Sequence, residues 1–466
     1  MNPNNRICYL GTVDIDNTTK SFGLLQEDRR RHLYILGKSG MGKSTLLENM
    51  ILQDIYSGQG VCFLDPLGDS CEFIMEHIPG FRQKDVIYFN PGDSDFPLGL
   101  NILEKGNEPD FLVASKVMSV LKRLWEGSWS ARMEYILNNI LLALLETPGS
   151  TLLGVVKMLT DKGYREYVVS NIQNMVVKNF WEKEYPTFAG KYETEAISPI
   201  LNKVGQFFSS DLIRNVLGQE KSSINFREIM DSQKILIVNL SKGKIGEDAS
   251  SLLGGIIVTN FQLAAMSRVD IPENERKDFF LYVDEFQNFV NPSFATILSE
   301  ARKYRLCLTI ANQFLGQLDS PEDEIIKQSI FGNVGSMLCF RLGVEDSTVL
   351  AKEFFPGTKD TEKVFLDLDS YQIAIKMSVT NRPLQPFVAT TLPTIYTSIK
   401  GNKEALINFS RSQYARPKEI VEAEIAKYFL PGQVVTPTGE IIVTKKKRKR
   451  KRKPKNHKVE GNQFEP

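Results

Sequence analysis

Residues 33–56 read LYILGKSGMGKSTLLENMILQDIY. Four apolar residues run into a glycine-rich loop, and the loop runs into a segment with helical spacing, so the stretch predicts strand, loop and helix in that order. Within it, residues 37–44 (GKSGMGKS) fit the spacing G-x-x-x-x-G-K-[ST]. Gly37, Gly40 and Gly42 allow the backbone to turn its N–H groups inward around phosphates, and the start of the following helix adds a favourable partial charge. Lys38, Ser39 and Met41 complete the loop. Lys43 is placed to reach the β- and γ-phosphates and Ser44 to ligate Mg²⁺, with Thr45 a weaker candidate beside it. The stretch therefore predicts a site for ATP with Mg²⁺.

A second run, residues 279–285 (FFLYVDE), brings two carboxylates to the end of an apolar strand. Asp284 is read as holding Mg²⁺ through water, and Glu285 as polarising the attacking water. Gln313 follows the apolar run 306–312 and is expected to sense phosphate or orient water, with Asn312 as the alternative. Arg302 lies 18 residues after Asp284 on a predicted helix, where it could act in trans as an arginine finger. Arg341, after the run 336–340, is a second finger candidate. Asp65 ends another apolar run and either contacts Mg²⁺, water or the loop, or caps the next helix.

Working outward, short apolar runs recur at 33–36, 61–64, 86–89, 235–240, 279–283, 306–310, 337–340 and 373–375. Helix-like segments at 45–56, 70–77 and 294–304 lie between them, which predicts an α/β fold with a mostly parallel sheet. The alternation stops between about Asn107 and Gly218, where helical periodicity appears at 111–125, 132–146, 152–160 and 197–217. The expected organisation is a core from 1–106 and 225–396, an all-α insertion at 107–224, and a C-terminal accessory extension at 397–444 with a helix after Pro417. Residues 445–466 are too polar to bury anything and read as a disordered basic tail.

The net charge of +1 hides an asymmetry, because residues 445–466 hold eleven Lys or Arg against two Glu, leaving the remainder acidic. Such a tail suits non-specific binding of DNA, anionic headgroups at the inner face of a membrane, or an acidic partner in a secretion complex. Five cysteines without a C-x-x-C pair and only three histidines argue against a disulfide framework and against an imidazole metal site. The longest apolar stretch, 252–266, is interrupted by Thr259, Asn260 and Gln262 and falls short of the ~20 residues that span a bilayer. It reads as a buried helix, and the chain as a cytoplasmic protein with no transmembrane segment. Lys242 and Lys244 sit in a loop that could face a channel, and Trp125, Trp129 and Arg132 form a grouping that stacks on bases or fills a helical core.

Taken together, GKSGMGKST, LDPLGD, FFLYVDEFQNF and SEARKYRLCLTIANQ resemble the HerA/FtsK-type P-loop ATPases. Among these the chain looks most like the TraG/TraD-type conjugative coupling ATPases of type IV secretion, and NVGSMLCFRLGVEDSTVLAKEF extends the likeness past the glutamine. The resemblance implies a RecA-like core, a homohexameric ring with ATP between subunits, and DNA threaded through the centre. It also implies Lys43 and Ser44 as the Walker A pair, Asp284 and Glu285 as Walker B, Gln313 as the strand-end glutamine and Arg302 as the trans finger. A motor for protein secretion or pilus assembly, and a nucleotide-regulated DNA-binding scaffold, are the rival readings. No LSGGQ-like signature supports an ABC-type ATPase, since LSKGK at 240–244 is a poor match.

Overall fold

A strand covered on both faces needs a near-continuous apolar run, and six successive short strands supply one. They are β3 (Leu33–Leu36), β4 (Gly60–Asp65), β5 (Val86–Phe89), β6 (Ile235–Asn239), β7 (Phe279–Val283) and β8 (Leu306–Asn312), with every residue buried. In this computed structural model β9 (Ser336–Cys339) joins them, and these seven strands pair in parallel. The structure describes residues 6–105, 108–188, 197–318, 320–380, 382–395, 401–429, 433–435 and 441–443. The expected basic tail at 445–466 lies outside the described residues.

The parallel strands are only part of the sheet. β1 (Ile7–Ile15), β2 (Thr18–Leu25), β10 (Gln372–Val379), β11 (Arg382–Pro383) and β12 (Phe387–Thr391) add an antiparallel flank, in the order β2-β1-β12-β10-β9-β3-β8-β7-β4-β6-β5, with β11 on β10. The β1–β2 hairpin turns through Asp16 and Asn17, both at positive φ, the geometry that suits tight hairpins. Side chains alternate between two apolar layers. Leu33 and Ile35 face the layer containing the helix Lys43–Tyr56, whereas Tyr34 and Leu36 face the layer containing the helix Glu247–Met266.

The segment after β5 is helical, as its periodicity implied. Its longer helices are Asp110–Leu124, Ala131–Leu145, Leu153–Thr160, Lys162–Asn171 and Ser198–Ser209, followed by Asp211–Leu217. The single helix expected over 197–217 is two, broken where Ser210 adopts an extended φ of −81° and ψ of 120°. The apolar side chains of these helices are continuous with the layer beneath β3. Among the described residues one helical stretch, Glu247–Asp270, is long and apolar enough to cross a membrane, but most of it is buried inside the fold. Trp125 is buried against Phe207 and Trp129, so that pair belongs to packing of the helical layer. All five cysteines are buried and unpaired.

Two C-terminal helices tie these parts together. Helix Lys403–Tyr414 covers the β5 edge, where the Ser410 hydroxyl accepts the Tyr88 N–H at 2.9 Å and Arg411 clamps Asp93 through both its Nε and Nη2. Helix Lys418–Tyr428 starts after Pro417 and buries Val421 and Ile425, with Asn215 of the helical segment donating to Glu422.

Candidate nucleotide site

Parallel strands end together, so loops at their carboxyl ends share one crevice. β3 ends at Leu36 between Asn312 of β8 and Cys339 of β9. The loop that follows is held on both sides: Gly37 N–H donates to Asn312 O at 3.3 Å and Lys38 N–H to Arg341 O at 3.1 Å. Gly37, Gly40 and Gly42 all have positive φ, as an inward-turned loop requires. Lys38, Ser39, Gly40 and Ser44 are exposed, while Lys43 is buried. The Lys43 Nζ donates to Gly37 O at 2.6 Å and sits opposite two carboxylates; burial lowers its pKa, and Glu285 and Asp284 oppose that shift. A buried cation held against the Gly37 carbonyl, beneath an exposed glycine-rich turn, is a fitting receptor for a polyphosphate.

Asp284 and Glu285 follow β7, next but one to β3 in the sheet. Asp284 is fixed by its N–H to Leu64 O at 3.1 Å. Burial first, then the charges of Glu285 and Asp65, push its carboxyl up to about 7, against the pull of the Glu285 N–H and Lys43. Glu285 adopts a left-handed backbone, φ 43° and ψ 50°. Its Oε1 accepts from Gln313 Nε2 at 3.0 Å and its Oε2 from Gln287 Nε2 at 2.8 Å. Two side-chain amides thus hold the carboxylate in one orientation. Gln313 is itself pinned, since its N–H donates to Gln317 Oε1 at 2.8 Å.

The crevice therefore gathers residues 37–45, Asp284, Glu285 and Gln313. Asn312, the alternative to Gln313, is fully buried and occupied, accepting from the Tyr34 hydroxyl and donating to Phe314 O. Asp65 caps its own loop and the next helix by accepting the N–H groups of Leu67 and Cys71. Arg302 is elsewhere. It is exposed and borders a cleft with Arg31, His32 and Gly335, at the amino ends of β3 and β9, away from its own P-loop. Arg341 instead stands beside the loop of its own chain. Lys242 opens a short helical turn and is held by Glu247 and Asn288, leaving Lys244 exposed. Gln287 and Gln317 escape the sequence reading; the spacing of amides two residues after Glu285 and four after Gln313 is their only trace.

Residues 19–380 match the family model described as the type IV secretion-system coupling protein DNA-binding domain. The chain belongs to this family. The type 4 coupling protein DotL of Legionella pneumophila is 22% identical over 418 residues, covering 76% of this chain and 52% of the relative. The chain thus spans about half the length of that curated coupling protein. Among solved structures, the plasmid coupling protein TrwB in complex with the non-hydrolysable ATP analogue ADPNP superposes with a TM-score of 0.59 at 17% identity, over 82% of this chain and 90% of that one. TrwB in complex with ADP and Mg²⁺ gives 0.58 at 16% identity, over 82% and 90%. VirB4 of Thermoanaerobacter pseudethanolicus gives 0.56 at 14% identity, over 84% and 97%. The fold is therefore that of the coupling proteins, with the mixed sheet and helical segment described above.

Proposed function

We propose that this coupling-protein family member is an ATP-driven motor that moves DNA in conjugation or type IV secretion, working as a homohexameric ring. The observation that carries the reading is the convergence of Lys43, Asp284, Glu285 and Gln313 at the carboxyl ends of one sheet, with Gln313 bonded to Glu285. The loop amides of residues 37–45 and Lys43 would hold the phosphates of ATP, and Ser44 and Asp284 would hold Mg²⁺. The metal, when bound, neutralises phosphate oxygens. Glu285 takes the proton of the attacking water as the new oxygen–phosphorus bond forms and the bond to ADP breaks. Gln313 keeps that carboxylate aimed. Arg302, remote from its own loop, would reach the γ-phosphate of a neighbouring subunit. The nucleotide-bound relatives support this reading, since TrwB has been captured with ADPNP and with ADP and Mg²⁺.

The test is steady-state ATP hydrolysis by the purified chain with and without DNA. DNA is expected to accelerate turnover, and Lys244→Ala to weaken that acceleration while sparing the basal rate. Hydrolysis indifferent to DNA would redirect the motor to protein cargo. Deletion of residues 445–466 in the same assay reports whether the basic tail supplies the contact.

The raised pKa of Asp284 gives a separate expectation. Mg²⁺ requires the carboxylate, so below about pH 7 it competes with a proton. Apparent Mg²⁺ affinity in the presence of ADP should fall by up to about tenfold per pH unit on the acid side and level off above it. Asp284→Asn should remove the part of that slope which the nucleotide's own titration does not explain. A slope identical in the variant and the parent would remove Asp284 from the metal's surroundings.

A further inference from the structure

Building on the ATP reading, we infer that Tyr371 is the platform on which the base of the nucleotide stacks. The direction of the bound nucleotide follows from the crevice itself. Asp284, Glu285 and Gln313 stand on the β7–β8 side of the P-loop, so the γ-phosphate must point there. The other end of the molecule then extends to the opposite side, over β9 and β10. Tyr371 immediately precedes β10, which runs antiparallel to β9, and so it lies at the carboxyl ends of the parallel strands.

Its environment is unusual for a tyrosine in four respects. Its ring rests on the P-loop: a Cβ added to Gly42 would lie 2.7 Å from the Tyr371 Cδ1. Gly42 is thus needed for this close approach as well as for its φ of 110°. The residue is 46% exposed, although it lies against the P-loop. Its backbone takes a left-handed φ of 67°, a strained conformation for a bulky side chain. Finally, that strain is held on both sides. The Tyr371 N–H donates to Met41 O at 2.9 Å, and its carbonyl accepts from the Thr391 N–H at 2.8 Å and the Thr391 hydroxyl at 3.2 Å. An exposed aromatic face held rigidly beside a phosphate loop is what a purine requires, because the loop recognises only the phosphates. Phe314, another exposed ring at this end of the sheet, stands next to Gln313 on the carboxylate side and is on the wrong flank for a base.

Stacking of a base on an aromatic residue has a size that binding can measure, roughly 1–3 kcal/mol, equivalent to about fivefold to hundredfold in affinity. The experiment measures dissociation constants by calorimetry for ATP, GTP and inorganic tripolyphosphate, each with Mg²⁺. Tyr371→Ala is expected to weaken ATP and GTP by about fivefold to hundredfold, to a similar extent, and to leave tripolyphosphate within about twofold. Tyr371→Phe should retain parental affinity. Tyr371→Gly removes the ring while relieving the left-handed backbone, so it repeats the test free of any folding defect caused by alanine. Unchanged ATP affinity in Tyr371→Ala and Tyr371→Gly overturns the proposal. Equal weakening of ATP and tripolyphosphate also overturns it, since Tyr371 would then only shape the loop. Failure of the parent chain to bind either ligand is a different result: it overturns the ATP reading itself, and the stacking role with it.

Discussion

Glu285→Gln is expected to lower the turnover of ATP by about 10²–10⁴-fold while leaving nucleotide affinity and folding close to the parent. The structure explains why the two effects separate. The two oxygens of Glu285 accept from Gln313 and Gln287, so a glutamine in its place must find an acceptor for its own amide hydrogens. Gln287 supplies one, because its Oε1 is buried and has no partner among the described residues; turning its amide over presents that oxygen to the new donor. The replacement therefore repairs its hydrogen bonds at little cost, and what is lost is the capacity to take a proton. Single-turnover hydrolysis alongside calorimetric ATP binding checks both halves. Retained turnover would mean that some other group activates the water.

The second large effect concerns stability. Asp54, on the helix Lys43–Tyr56 that begins at the P-loop, is buried against Arg29, which donates to both its oxygens at 2.7 and 2.8 Å. The Tyr282 hydroxyl of β7 donates to the same carboxylate, and the Arg29 guanidinium lies 3.9 Å from the centre of the Phe280 ring. Arg6 approaches the carboxylate at 4.0 Å. This cluster fastens the P-loop helix to the strand that presents Asp284. Asp54→Ala leaves a buried guanidinium without its counter-charge, which costs about 3–5 kcal/mol. Against a total stability of roughly 5–15 kcal/mol, that is a large fraction. The denaturation midpoint in urea should fall accordingly. The double variant Arg29→Met with Asp54→Leu should recover much of the loss, since apolar residues of similar volume can replace a buried ion pair at small cost. A double variant no better than Asp54→Ala would show that the cluster does more than neutralise itself.

How far these features were legible in the sequence depends on the physical signal each one leaves. Strands β3 to β9 announce themselves because both faces are covered and each carries a run of apolar residues, with polar residues confined mostly to the strand ends. β2 is mostly exposed over Thr18–Ser21 and leaves no such run, so of the antiparallel flank only β10 showed, through the run 373–375. The break at Ser210 was hidden because apolar periodicity continues through it from Phe208 to Ile213. The P-loop and the Asp284–Glu285 pair were legible because their chemistry depends on neighbours in sequence. Gln313 was legible as the end of a strand. The amide of Gln287 was not, because its contact with Glu285 depends on a left-handed turn. Arg302 was found as a residue but not as a place. A helix that follows a parallel strand runs back toward the amino ends, so its last turn stands at the edge opposite the nucleotide.

The position of β3 at the middle of the sheet has a consequence for synthesis. Its two neighbours, β8 and β9, are encoded about 270–300 residues downstream, so both sides of Leu33–Leu36 lack a partner until those strands leave the ribosome. At ~5–20 residues per second, the wait is roughly 15–60 s. The far edge waits longer still, because the Tyr88 N–H is covered only when Ser410 arrives. Throughout that interval the nascent chain carries a wholly apolar, unpaired strand joined to a finished phosphate-loop sequence. It is a natural client for a holdase, and nucleotide cannot stabilise it before the carboxylates of β7 and the flanking strands have joined.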